Sequence, residues 1–131
     1  MRRKYLDDIG VTDRHDTWYD DENDLERDVK FNTQRAIYGF DERETYALDH
    51  AFYCWLYERL MMFLEVNNVD LKFHKFEYKG KEYTQKQLID MMLVNLKFVL
   101  SKEFDDYNDE HREIAKSISE IWSLVLPAMW W

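Results

Sequence analysis

The stretch 41–66, DERETYALDHAFYCWLYERLMMFLEV, is the most informative in the chain. Asp41, with Glu44 three residues later, reads as a helix start: a side-chain acceptor for orphan amide hydrogens and an acid in the first turn. Phe40 precedes it as the apolar residue outside the cap. No glycine or proline interrupts residues 42–66. At about 100° per residue, Leu48, Ala51, Phe52, Trp55, Met62, Phe63 and Val66 share one face. Tyr53, Leu56, Leu60 and Leu64 fill a second. The polar remainder is a narrow strip with His50, Glu58 and Glu65. A helix apolar on two sides is normally central to a bundle.

Upstream, residues 22–38 read as another helix, capped by Asp20 or Asp21. Leu25, Val29 and Ala36 form its apolar face, with Ile37 beside them, and Gly39 suits the left-handed position past its end. Residues 1–20 read as a weakly ordered acidic arm, polar and without periodicity, with Trp18 and Tyr19 as anchors. The helical domain then covers 21–131.

Downstream, Tyr78 and Tyr83 flank a Lys79-Gly80 turn signal, so residues 71–83 read either as a small β-hairpin or as an irregular crossover. A hairpin alone is marginal and needs helices to pack on. Thr84 with Gln87 forms a capping box, and that helix is expected to reach 104, with Leu88, Met92, Leu96 and Val99 as its stripe. The acidic run 105–110 leads into a last helix, to about 126, with Ile114, Ile118, Ile121, Trp122 and Val125 on one face. Pro127 ends it. The sequence therefore predicts a mainly α, four-helix bundle-like single domain. Its helices carry more apolar surface than such a bundle easily buries, which favours self-association.

Composition agrees with this class and excludes others. The chain has 131 residues, 46% of them apolar and 34% charged, which is a globular balance. Three glycines and one proline exclude a Gly-rich phosphate loop, and the single cysteine, Cys54, excludes a disulfide scaffold. The opening residues do not read as a signal peptide and no apolar run reaches a membrane span, so a soluble cytosolic protein is expected. The net charge of −9 is uneven. Residues 5–28 carry ten acids against two arginines, and 72–102 hold seven lysines against three acids. Residues 103–113 are acidic again. Such a balance argues against direct binding of nucleic acid or an anionic membrane, and suits a basic partner.

No catalytic constellation emerges. None of the four histidines follows an acid at the spacing of a di-metal bundle. Two stretches faintly resemble calcium loops, Asp20-x-Glu22-x-Asp24 and Asp106-x-Asn108-x-Glu110, but both lack the central Gly and the closing Glu. Cys54 reads as a buried inert thiol without an adjacent base. No catalytic residue, metal ligand or cofactor is assigned. Asp49 and Arg59 fall within apolar faces of the 41–66 helix and read as a buried polar cluster. The partner-binding candidates are Asp20, Asp21, Asp24 and Asp28 in the acidic stretch and Trp130 and Trp131 at the tail. Tyr107 and Trp122 are further aromatic anchors.

At Gly39-Phe40-Asp41 and Thr45-Tyr46-Ala47-Leu48-Asp49, followed by an apolar helix with Leu60-Met61-Met62-Phe63, the sequence resembles a family of small uncharacterised bacteriophage proteins. Their core reads Gly-aromatic-acid, then Thr-Trp-x-Leu-Asp, then a helix ending in Leu-x-x-aromatic. Tyr46 and Tyr57 depart from it, where the family tends to have Trp and Pro. The resemblance implies a phage genome, expression in the bacterial cytosol and an accessory role, and brings no site residues. The expectation is a non-enzymatic binding protein acting on a host or anti-phage defence protein, as an inhibitor or an acidic nucleic-acid mimic. The alternatives are an oligomer that binds or sequesters a nucleotide-like small molecule, and a minor virion or assembly component.

Overall fold

The computed structural model describes residues 3–12, 24–67 and 70–129. The chain is mainly α-helical with one small antiparallel hairpin. It divides into two compact units, Met1–Trp55 and Leu56–Trp131, with the division inside one long helix.

In the first unit, α1 spans Lys4–Asp8, and Asp7 accepts a hydrogen bond from the Arg3 amide at 2.9 Å. Tyr5, Leu6 and Val11 are buried. This part of the expected weakly ordered arm is therefore helical, held by apolar side chains that the charge count hid.

The next helix, α2, spans Leu25–Tyr38. Its cap is Asp24, which accepts from the Arg27 amide at 3.0 Å, so the helix starts later than the Asp20 or Asp21 cap implies. Gly39 ends it in the left-handed region, with φ 86°. Phe31 is its only buried residue. The predicted core face is the opposite of a core: Leu25, Val29 and Ile37 are 71%, 64% and 67% exposed.

Asp41 does cap, but it caps a tight 3-10 turn, Glu42–Thr45, by accepting from the Arg43 amide at 3.0 Å. The long helix α3 begins only at Leu48 and ends at Val66. It is not buried on two sides. Leu56 and Leu60 of the second predicted face are buried with Cys54 and Tyr57, while Leu48, Trp55, Met62 and Val66 of the first face are exposed.

In the second unit the 71–83 alternatives resolve in favour of the hairpin. Strands β1 (Lys75–Tyr78) and β2 (Lys81–Thr84) pair antiparallel, Phe76 opposite Tyr83 and Tyr78 opposite Lys81. The two turn residues, Lys79 and Gly80, have φ 51° and 77°. This is the hairpin geometry whose twist matches the strands, and glycine at the second position removes the Cβ penalty. Tyr78 is buried and donates its hydroxyl to Glu120 at 3.4 Å, which supplies the packing a lone hairpin lacks.

Helix α4 spans Gln85–Val99 and starts at the predicted capping box. The Gln87 amide donates to Thr84 Oγ1 at 3.2 Å, and the Thr84 amide to Gln87 Oε1 at 2.9 Å. The helix stops five residues before the predicted end, and Ser101 Oγ turns back to the Phe98 carbonyl at 2.7 Å just beyond it. Helix α5 spans Asp109–Val125, capped by Asn108, and Pro127 sits in a closing 3-10 turn, Leu126–Ala128. Leu88, Ile89, Met92 and Leu96 of α4 and Ile118, Ile121 and Val125 of α5 are buried where the two helices pack. Each such side chain contributes roughly 1.5–3 kcal/mol, against about 1 kcal/mol for a cap, so burial dominates this unit. Asn95 Nδ2 donates to Ser117 Oγ at 2.8 Å across the pair. No helix among the described residues is long and apolar enough to cross a membrane.

Candidate functional site

Four of the residues singled out in the sequence fall within the described residues. Asp24 is occupied as the α2 cap and pairs with Arg27 Nε at 3.3 Å. Asp28 is exposed one turn on. Asp20, Asp21, Trp130 and Trp131 lie outside the described residues. The expected buried polar cluster of Asp49 and Arg59 does not form, because both residues are exposed.

The buried charge lies elsewhere, on the turn that leads into α3. Asp41 and Arg43 are each 2% exposed. The Arg43 guanidinium grips the carboxylate through two bonds, Nε to Oδ1 at 3.0 Å and the terminal nitrogen to Oδ2 at 2.9 Å. It also lies over the Phe31 ring, 4.3 Å from the centroid, and Arg35 stands 3.4 Å from the same carboxylate. Burial alone pushes the Asp41 carboxyl upward, but the hydrogen bonds and charge of Arg43, with Arg35 behind, hold it below its ordinary value. A bidentate pair this well satisfied is structural. Sequence reasoning placed Asp41 as a cap and passed over Arg43; an acid and an arginine two residues apart at a tight turn was the available signal.

Beside it lies an open groove of about 440 Å³, lined in part by Arg27, Lys30, Phe31, Glu42 and Tyr46. Glu42 is saturated. It accepts from Lys30 Nζ at 2.6 Å, from Gln34 Nε2 at 3.0 Å and from the Tyr46 hydroxyl. The Lys30 hydrogen bond is the largest of the contacts that lower its carboxyl to about 2, followed by those of Tyr46 and Gln34. A carboxylate so bound is neither a base nor a metal ligand in waiting. Cys54, read as lacking a neighbouring base, has His50 Nε2 3.6 Å from its sulfur, one helical turn away. The thiol is 1% exposed, so the pair is packed away from solvent.

The second unit presents a surface that is both built and open. After α4, Phe98, Phe104 and His111 cluster. The His111 ring meets Phe98 edge-on at 4.7 Å and stacks on Phe104 at 6.0 Å. Unprotonated Nδ1 of His111 accepts the Asp105 amide at 3.0 Å. Asp105 Oδ1 in turn accepts the Tyr107 amide at 3.0 Å, and Asn108 Oδ1 accepts the His111 amide at 3.1 Å. The loop backbone is thus tied at successive points. On this frame Tyr107 is 95% exposed, with Glu103, Asp105, Asp106, Asp109 and Glu110 exposed around it at the start of α5. The positive end of that helix favours the acids. Because the loop backbone beneath Tyr107 is already tied, little backbone freedom is lost on binding.

The lysines of 72–86 do not gather into a phosphate cradle among the described residues. Lys75 faces Glu82 at 3.6 Å, Lys86 pairs with Asp90 at 2.6 Å, and Lys79 and Lys81 lie over the rings of Tyr78 and Tyr83.

Compared with protein-family models, curated proteins and solved structures, the chain matches none.

Proposed function

We propose that the chain is a non-enzymatic protein-binding module of bacteriophage type that acts in the bacterial cytosol on a basic host or defence protein. Its docking surface is the acidic loop between α4 and α5, with Tyr107 as anchor and Asp106, Asp109 and Glu110 as the charged surround. The observation that carries the reading is Tyr107: a large aromatic, 95% exposed, on a loop pinned by hydrogen bonds through Asp105, Asn108 and His111. Acids around an anchor steer a cationic partner and discriminate against anionic ones. The pairing of Lys86 with Asp90 and the placement of Lys79 and Lys81 over neighbouring rings favour this over sequestration of a nucleotide.

The test is affinity capture from host lysate with the full chain, in parallel with Tyr107→Ala and with a triple variant, Asp106→Asn, Asp109→Asn and Glu110→Gln. A stoichiometric basic protein, retained by the parent and released by either variant at unchanged melting temperature, supports the proposal. Equal retention by all three proteins refutes it.

A further inference from the structure

We propose that α2 is a homodimerisation helix, pairing antiparallel with α2 of a second copy of this chain. Leu25, Val29, Asn32 and Ala36 follow one another at spacings of four, three and four residues, and all four are exposed. This is the seam spacing of a two-helix contact. Phe31, the buried residue of α2, points to a different side. An apolar seam on a helix that buries only one residue is surface awaiting a partner.

Self-pairing follows from symmetry and charge. The spacing reads the same from either end, so an antiparallel pair of copies stays in register. Leu25 meets Ala36 of the partner subunit, and Val29 meets Asn32 of the partner subunit. A two-fold contact repeats each pairing, as an isologous interface requires. The charges agree. Glu26 and Asp28 lie in the first turn of α2 and Arg35 in the last. Reversal therefore places Asp28 beside Arg35 of the partner subunit, twice. Arg35 is 43% exposed; it stands 3.4 Å from the Asp41 carboxylate on one side and holds Asn32 Oδ1 at 2.6 Å, next to the seam. Asp28 is exposed on the same helix and open to a cation from outside. The two helix dipoles also oppose favourably.

A helix of 14 residues is about 21 Å long, short of what a tight interface needs, so the dimer belongs to the weak class, half-dissociated at roughly 10–100 µM. This interface is independent of the Tyr107 loop, which belongs to the other compact unit, and each can fail without the other.

The experiment is sedimentation equilibrium of the full chain from about 1 µM to 1 mM, a range that brackets the expected constant. The parent is expected to pass from monomer to dimer. Val29→Glu, at a 64% exposed position, is expected to stay monomeric with unchanged helicity and melting temperature. Asp28→Lys is expected to weaken the dimer about tenfold, one such pair lost twice over, with unchanged helicity and melting temperature. A parent that is monomeric at 1 mM, a dimer that survives Val29→Glu, or a dimer undiminished by Asp28→Lys overturns the proposal.

Discussion

Arg43 holds the carboxylate of Asp41, two residues before it, by two hydrogen bonds of 3.0 and 2.9 Å, and both residues are 2% exposed. The pair closes the turn that sets where α3 begins. Removing the Arg43 side chain leaves the desolvated Asp41 carboxylate with only the residue-43 amide and the more distant Arg35.

Arg43→Ala is accordingly expected to destabilise the protein by about 3–5 kcal/mol, as for other buried pairs broken on one side. The exposed pair Lys86–Asp90, although only 2.6 Å apart, provides the contrast: Asp90→Asn is expected to cost about 0.5 kcal/mol or less. Urea unfolding of both variants measures the difference directly. Equal losses would place Arg43 outside any special role.

Acid should weaken the fold through the same turn. The carboxyls of Asp41 and Glu42 are held below their ordinary values of 3.8 and 4.5, that of Glu42 at about 2. As pH falls, the unfolded chain takes up these protons first, so stability present above pH 4.5 is lost on the way down to about 2. Glu42→Gln should flatten part of this decline. Unfolding midpoints at several pH values between about 6 and 3 test it, spanning the range in which the unfolded carboxyls protonate. Parallel curves for parent and variant would refute the assignment.

The α4–α5 pair should behave as the core and its neighbouring surface as indifferent. Leu96 is fully buried and Val94, two residues away, is 66% exposed. Leu96→Ala is expected to cost about 2–5 kcal/mol and Val94→Ala to stay within about 0.5 kcal/mol. Calorimetry of the two variants is sufficient.

His111 should act as the tie of the Tyr107 loop rather than as a reactive group. Its Nδ1 accepts the Asp105 amide, so the proton of the neutral ring sits on Nε2. Nitrogen NMR above neutral pH is expected to show that tautomer. In His111→Ala, amide exchange at Asp105 should accelerate while the α4 core stays protected. Unchanged exchange would mean the loop is held by Asp105 and Asn108 alone.

Local decisions belong to the sequence. The Thr84–Gln87 box, the Lys79-Gly80 turn and the left-handed Gly39 each depend on neighbours within a few residues, and each stands where the pattern put it. The helical class follows from periodicity for the same reason. The candidate site was half legible: composition revealed the acids around Tyr107. The frame that holds them was not legible, because Phe98, Phe104 and His111 are brought together only once α4 ends early at Val99 and the chain turns back into α5. The buried Asp41–Arg43 pair was hidden likewise, since a charged side chain reads as surface until the fold closes over it. Which apolar faces are covered was also a tertiary matter. Periodicity marks a face as apolar but does not say whether another element reaches it, so α2 shows its stripe to solvent and α3 buries Leu56 and Leu60 instead of Leu48 and Met62.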